Sequence, residues 1–153
     1  MLSKNIVSQV LAKCLITGGD FAEIFEDDSI NNSISLVDGK VQDAIGGRSY
    51  GIGIRIFKGF KSVYAYTNNN SLNSLLETAY RAALALGEVK EEKTIILNEK
   101  KIETIHPIIY YPKDVKYEQK IAVLKNAYGG AKNYNDEISQ VIANYSDKEQ
   151  NVL

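Results

Sequence analysis

Four carboxylates crowd the segment EIFEDD: Glu23, Glu26, Asp27 and Asp28. On an extended chain successive side chains alternate between faces, so Glu26 and Asp28 share one side and Asp27 takes the other. A hard cation could sit there, but cation sites draw further donors to the same point, and none follows nearby in sequence. An edge strand defended by its charge explains the same residues. Arg55 is the basic counterpart, in the stretch GGRSYGIGIRIF at residues 46–57. Its guanidinium could receive a carboxylate or the backbone of an extended ligand. It could equally form an ion pair with the acidic strand around Glu26.

The glycines of that stretch invite a phosphate-binding reading, which their spacing rejects. Gly51 and Gly53 would need a third glycine at position 56, which is Ile56, and a helix should follow where a strand pattern follows instead. The one Gly-Lys pair, Gly39-Lys40, is continued by Val41 and so is no Walker loop. The glycines therefore read as geometry: Gly46-Gly47 as a turn, Gly51 and Gly53 as sites of bending or close backbone approach. His106, the single histidine, precedes Pro107, and Cys14, the single cysteine, falls on an apolar helix face. Nothing pairs them as nucleophile and base, and zinc chemistry takes several converging ligands.

Periodicity supplies the elements that hold these residues. Ile6, Val7, Val10, Leu11, Cys14 and Leu15 recur at helical spacing from Ser3 to about Ile16, and Gly18-Gly19 ends that helix. A meander of about four strands follows. Asp38-Gly39 marks a hairpin between SISLV and KVQDAI, and Lys58-Gly59 marks a second turn. Ile52, Ile54 and Ile56 project to one face of the strand GIGIRIF, while Gly51, Gly53, Arg55 and Phe57 line the other. Tyr64, Tyr66, Tyr110 and Tyr111 add aromatic surface, common enough on strands for packing alone. A second helix runs from about Ser71 to Leu86, with Ser74 and Glu77 at capping-box spacing, Asn70 or Ser71 as an equally good cap, and Gly87 at its end. Residues 88–116 mix charges, short apolar runs and both prolines, and read as a connector. A third helix, Tyr117 to about Ala131, precedes the strand EISQVIANYS, a turn at Asp147-Lys148, and the start of a partner strand at QNVL. A strand stopping there predicts a chain that continues in the natural protein.

These elements make an α/β (α+β) chain divided as 1–87, an N-terminal α/β domain; 88–116, the connector; and 117–153, the start of a following region. Of 153 residues, 44% are hydrophobic and 24% charged, a globular balance. A net charge of −1 without a basic stripe predicts no nucleic-acid partner. No apolar run approaches the length of a membrane span, so no membrane association is expected. A lone cysteine excludes an internal disulfide and fits a reducing compartment.

Taken in order, FAEIFEDDSINNSISLVDGKV, YGIGIRIFKGFKSVYAYTNNNSLNSLLETAYRAA and the C-terminal segment from KIAVLKNAYGG resemble the TldD/PmbA proteins, the modulators of DNA gyrase, with the TldD branch favoured. The resemblance implies an N-terminal region preceding a larger catalytic one, in a cytoplasmic zinc metallopeptidase acting on peptides or unfolded protein. It also implies a PmbA/TldE-like partner subunit or a homo-oligomer. The family's metal motif, H-E-x-x-x-H on a helix, has no counterpart in this sequence, so no catalytic or metal residue carries over and this chain should be inactive alone. What remains is a supporting role: Gly51, Gly53, Arg55, Tyr66 and Asn68 are the candidates for a peptide path or a subunit interface. The alternatives are a stand-alone protein-interaction module without activity, or a small hydrolase, for which the supply of histidine and cysteine is poor.

Overall fold

The computed structural model describes residues 1–100 and 105–153; part of the 88–116 connector, residues 101–104, lies outside the described residues. The order of elements is α1 (Lys4–Cys14), β1 (Phe21–Val37), β2 (Lys40–Lys58), β3 (Lys61–Thr67), α2 (Leu72–Leu84), a short 3-10 turn (Pro112–Asp114), α3 (Tyr117–Lys132) and β4 (Ile142–Val152). The strands form one sheet in the order β3-β2-β1-β4. Helices plus a four-stranded antiparallel sheet make this an α+β fold, as expected from the patterning.

Asp38 and Gly39 both take positive φ, 47° and 76°, the backbone of the tight hairpin turn that matches strand twist. Three other expectations give way. Gly46-Gly47 is no turn but lies inside the 19-residue β2, in the stretch before its pairing with β3 begins, where pairing with β1 outweighs the entropic cost of glycine. Asp147-Lys148 is likewise no turn: β4 runs through it and pairs with β1, with Glu26 and Leu153 exchanging backbone hydrogen bonds at 3.0 Å. QNVL is therefore the end of that one strand and not the start of another. Finally, β1 is a central strand, so the acidic run does not defend an edge. Glu26 is fully buried.

The chain clusters into two compact units, and β1 and β2 contribute residues to both. The first comprises residues 1–28, the described part of 50–103, and 151–153. Its core sets Ile52, Ile54 and Ile56 of β2, all fully buried, with Val7, Val10 and Cys14 of α1 and Leu75, Ala79, Ala82 and Ala83 of α2. Each buried isoleucine contributes about 1.5–3 kcal/mol by leaving water. The alanines on α2 keep its buried face thin. Ser3 caps α1 through the Ile6 N–H, and Leu2 and Val7, the residues that flank this cap as a hydrophobic staple, both enter the core. Ser71 caps α2 in the same way, accepting from the Ser74 N–H, which selects it over Asn70 and over Ser74, a residue inside the helix.

The second unit comprises residues 29–49 and the described part of 104–150. Its apolar core is small: Ile34 and Leu36 of β1 and Leu124 of α3, with Ile121, Tyr128, Ala143 and Tyr145 around them. Polar contacts described below supplement it. Among the described residues, no helix is long and apolar enough to cross a membrane.

Candidate functional site

Two places in the structure carry chemistry. The first is the sheet face of the first unit opposite its helices. Phe21, Glu23 and Phe25 of β1, Arg55 of β2 and Tyr64 and Tyr66 of β3 are exposed there, and the same face of β2 carries the half-buried Gly51 and Phe57 and the buried Gly53. The strand alternation predicts this for β2, because Ile52, Ile54 and Ile56 take the helix side. Phe21 and Phe57 meet with ring centroids 5.9 Å apart.

Arg55 resolves in favour of the ion pair. Its Nη1 lies 3.2 Å from Glu23 Oε1, both side chains about half exposed, and its guanidinium sits 5.6 Å from the Tyr64 ring centroid. The partner is Glu23 and not Glu26, because Glu23 shares the open face while Glu26 points to the helices. Such a pair in water is worth up to about 1 kcal/mol, so Arg55→Ala should leave the chemical-denaturation midpoint nearly unchanged.

The glycines differ from one another. In the β2–β3 register Arg55 faces Tyr64 and Gly53 faces Tyr66. Tyr64 leans diagonally across Gly53, so closely that a Cβ added there would collide with the tyrosine Oη. Gly53 is thus a seat for Tyr64, an aromatic ring covering a glycine on the neighbouring strand. A Cβ at Gly51 would meet nothing, so this position is open. Glu23, Ile24, Phe25, Gly53, Arg55 and Tyr64 bound a depression of about 260 Å³. Tyr66 is 79% exposed, and Asn68 is exposed in the bend after β3. Asn69 organises that bend, its amide N–H donating to Thr67 Oγ1 (3.1 Å) and its side-chain oxygen accepting from the Ser71 N–H (2.9 Å). Gly53→Ala should displace Tyr64 at a cost of about 1–3 kcal/mol, read by urea unfolding together with tyrosine emission, the chain having no tryptophan.

On the helix side of the same strands, Glu26 accepts from the Leu2 N–H (2.6 Å) and the Tyr50 hydroxyl (2.9 Å), with the Met1 ammonium 3.6 Å away. Burial first, and the hydrogen bond to Glu26 second, push the Tyr50 hydroxyl pKa up.

The second place is in the other unit and was not singled out by its sequence. Lys120 of α3, 3% exposed, holds Asp147 of β4 at 2.7 Å. Asp147 also accepts from Asn32 Nδ2 at 2.8 Å, and Asn32 Oδ1 accepts from the Tyr117 hydroxyl at 3.2 Å. The Lys120 ammonium lies 5.6 Å from the ring centroids of both Tyr117 and Tyr145. Burial pushes the Asp147 carboxyl up, but hydrogen bonds from Asn32, Lys120 and Tyr145 outweigh it and hold the group below the usual aspartate range. Beside Lys120 and Tyr145, a hollow of about 450 Å³ is lined by Ile109, Tyr110, Tyr111 and Val123. The available signal was positional: Lys120 precedes Leu124 by one helical turn, on the stripe that Leu124 buries.

Zinc, implied by the sequence resemblance, finds no fitting donor set. Among the described residues, no group of three or more His, Cys, Asp or Glu comes together. His106 is exposed, and burial pushes the Cys14 thiol up to about 12, far from the thiolate a metal or a nucleophilic step needs. No step can be routed through a metal on these residues.

Comparison with known proteins places this geometry. Residues 22–83, from the start of β1 almost to the end of α2, match the family model for PmbA/TldA metallopeptidase domain 1. A Methanocaldococcus jannaschii protein named as a metalloprotease is 28% identical over 141 residues, which cover 87% of this chain and 30% of the relative. Among solved structures, a Bacteroides thetaiotaomicron protein of the modulator-of-DNA-gyrase group superposes with a TM-score of 0.72 at 17% identity, over 99% of this chain and 36% of its own. TldE from Thermococcus kodakarensis does so with a TM-score of 0.58 at 17% identity, over 98% of this chain and 34% of its own. The chain thus spans about a third of the length of the relatives it matches. At these identities the superpositions speak for the fold, and the family model speaks for its own segment: residues 22–83 are similar to the first domain of the PmbA/TldA metallopeptidases.

Proposed function

We propose that these 153 residues form the N-terminal, non-catalytic part of a TldD-type zinc metallopeptidase that acts on peptides or unfolded protein in the cytoplasm, with residues 1–87 as its N-terminal domain. The open sheet face of the first unit lines the path of the peptide. One observation carries this: in the first unit the helices cover one face of β2 and β3, while the other presents Gly51, Tyr66 and the depression beside Arg55 with aromatic side chains left in water. Apolar surface of that kind marks a surface that meets something else. Glycine without a facing side chain lets an extended backbone approach.

The test uses the full-length protein. Tyr66→Ala and Gly51→Leu should each raise KM for an unfolded peptide about tenfold with kcat preserved, as expected when binding common to ground and transition states is lost. Unchanged KM and kcat in both variants would remove the peptide path. The same face supports a second reading, a subunit interface with a PmbA/TldE-like partner or a second copy, because Arg55 and Glu23 offer both signs of charge among the aromatic rings. Under that reading the two substitutions shift the oligomeric state by sedimentation before they touch KM.

A further inference from the structure

We infer that Asn32, Asp147 and Lys120 form a register lock: they fix which residue of β4 faces which residue of β1, a task the apolar pattern of β4 cannot perform.

Register in a sheet is normally specified by an apolar face that a slip would expose. β4 offers little of such a face: it brings the partly buried Ala143 and Tyr145 to the second unit's core, and Asp147 and Glu149 continue the same side. Its residues alternate between a half-covered side, Ala143, Tyr145, Asp147 and Glu149, and an exposed side, Ile142, Asn144, Ser146 and Lys148. Each side carries some apolar residues and some polar ones. A slip of two residues keeps every side chain on its own face, so alternation offers no defence against it. Such a slip would bring Tyr145 or Glu149 opposite Asn32.

The backbone of the second unit shows the register adopted. The Asp38 N–H donates to the Val141 carbonyl at 3.0 Å. Counting six residues back from Asp38 and six on from Val141 sets Asn32 directly opposite Asp147, and their side chains bond across the strands at 2.8 Å. Lys120 then reads the same carboxylate from α3, using the second oxygen, Oδ2, while Asn32 uses Oδ1. Two elements thus address one side chain from two directions, which a neighbour two residues away cannot reproduce. Tyr145 lacks the charge. Glu149 is already taken by Lys113 at 2.9 Å, a more exposed pair that leaves Glu149 Oε2 buried with no partner. Buried ion pairs add little net stability against apolar replacements, and specifying register is their best-attested use.

Cross-linking of the full chain reads the register directly. Ser33 and Ser146 are exposed and face each other in the observed register, five residues from the Asp38–Val141 pair. Ser33→Cys with Ser146→Cys should oxidise to a disulfide roughly tenfold faster than Ser33→Cys with either Asn144→Cys or Lys148→Cys, since only directly opposed Cβ atoms come within disulfide range. Adding Lys120→Met and Asp147→Leu, an apolar replacement of the pair, should shrink that preference to about threefold or less. Asn32→Val is the second variant; it leaves the ion pair intact, suits a strand, and should widen the cross-linking pattern in the same direction. An unchanged preference for position 146 in both folded variants overturns the lock. Loss of folding in both overturns it too, since the three residues would then be holding stability and not register. Where only one variant folds, its pattern decides.

Discussion

Lys120→Ala should cost about 3–5 kcal/mol of folding stability, because it strands Asp147 as a buried carboxylate without its cation. Asp147 is 9% exposed, so water cannot replace the lost ammonium. Contact with the Tyr117 and Tyr145 rings disappears as well. Urea unfolding at neutral pH measures the loss. The pH dependence identifies its origin. The folded Asp147 carboxyl titrates below its unfolded value, so its contribution is present above about pH 4 and is lost as the pH falls through the folded pKa. In Lys120→Ala one of the groups depressing that pKa is gone, and the acid limb of the stability curve should begin at higher pH. A curve that keeps its shape would assign the lost stability to packing.

Glu26→Ala is the second large effect, expected at about 2–6 kcal/mol from two donors left unsatisfied at about 1–3 kcal/mol each. The donors are the Leu2 N–H and the Tyr50 hydroxyl, both held in the first unit. Glu26→Gln keeps an acceptor oxygen and should recover more than half of the loss. Tyr50→Phe, which removes one of the two donors, should cost less than Glu26→Ala. If all three variants fall equally in thermal unfolding, the cause is the shape of the site and not its hydrogen bonds.

Periodic, local features were legible in the sequence. Ile52, Ile54 and Ile56 announce a strand with one buried face, the helix stripes announce α1 and α2, and Asp38-Gly39 announces its own turn. The face carrying Gly51, Gly53 and Arg55 follows from the same parity. Features set by distant partners were not legible. Glu26 looks like a surface charge until β4 makes β1 a central strand and α1 brings the Leu2 N–H to the carboxylate. Gly46-Gly47 and Asp147-Lys148 resemble turns by local preference, and sheet pairing overrides both. Tyr64 covers Gly53 because of the β2–β3 register, which the loop at Gly59-Phe60 sets. Lys120 and Asp147 look like ordinary solvated charges, and only the meeting of α3 and β4 buries them.

The strand order has a consequence for the order of synthesis. β1 and β2 are neighbours in the chain, but the other side of β1 is completed by β4, with Asp38 and Val141 separated by 103 positions and Asn32 and Asp147 by 115. Contacts of such span close late, after local helices and hairpins have formed. Until β4 leaves the ribosome, β1 presents an unpaired edge carrying Ile34 and Leu36, an open template for another nascent chain. The carboxylates at Glu23, Asp27 and Asp28, which defend no edge in the finished sheet, lie on that strand throughout the interval when it is one.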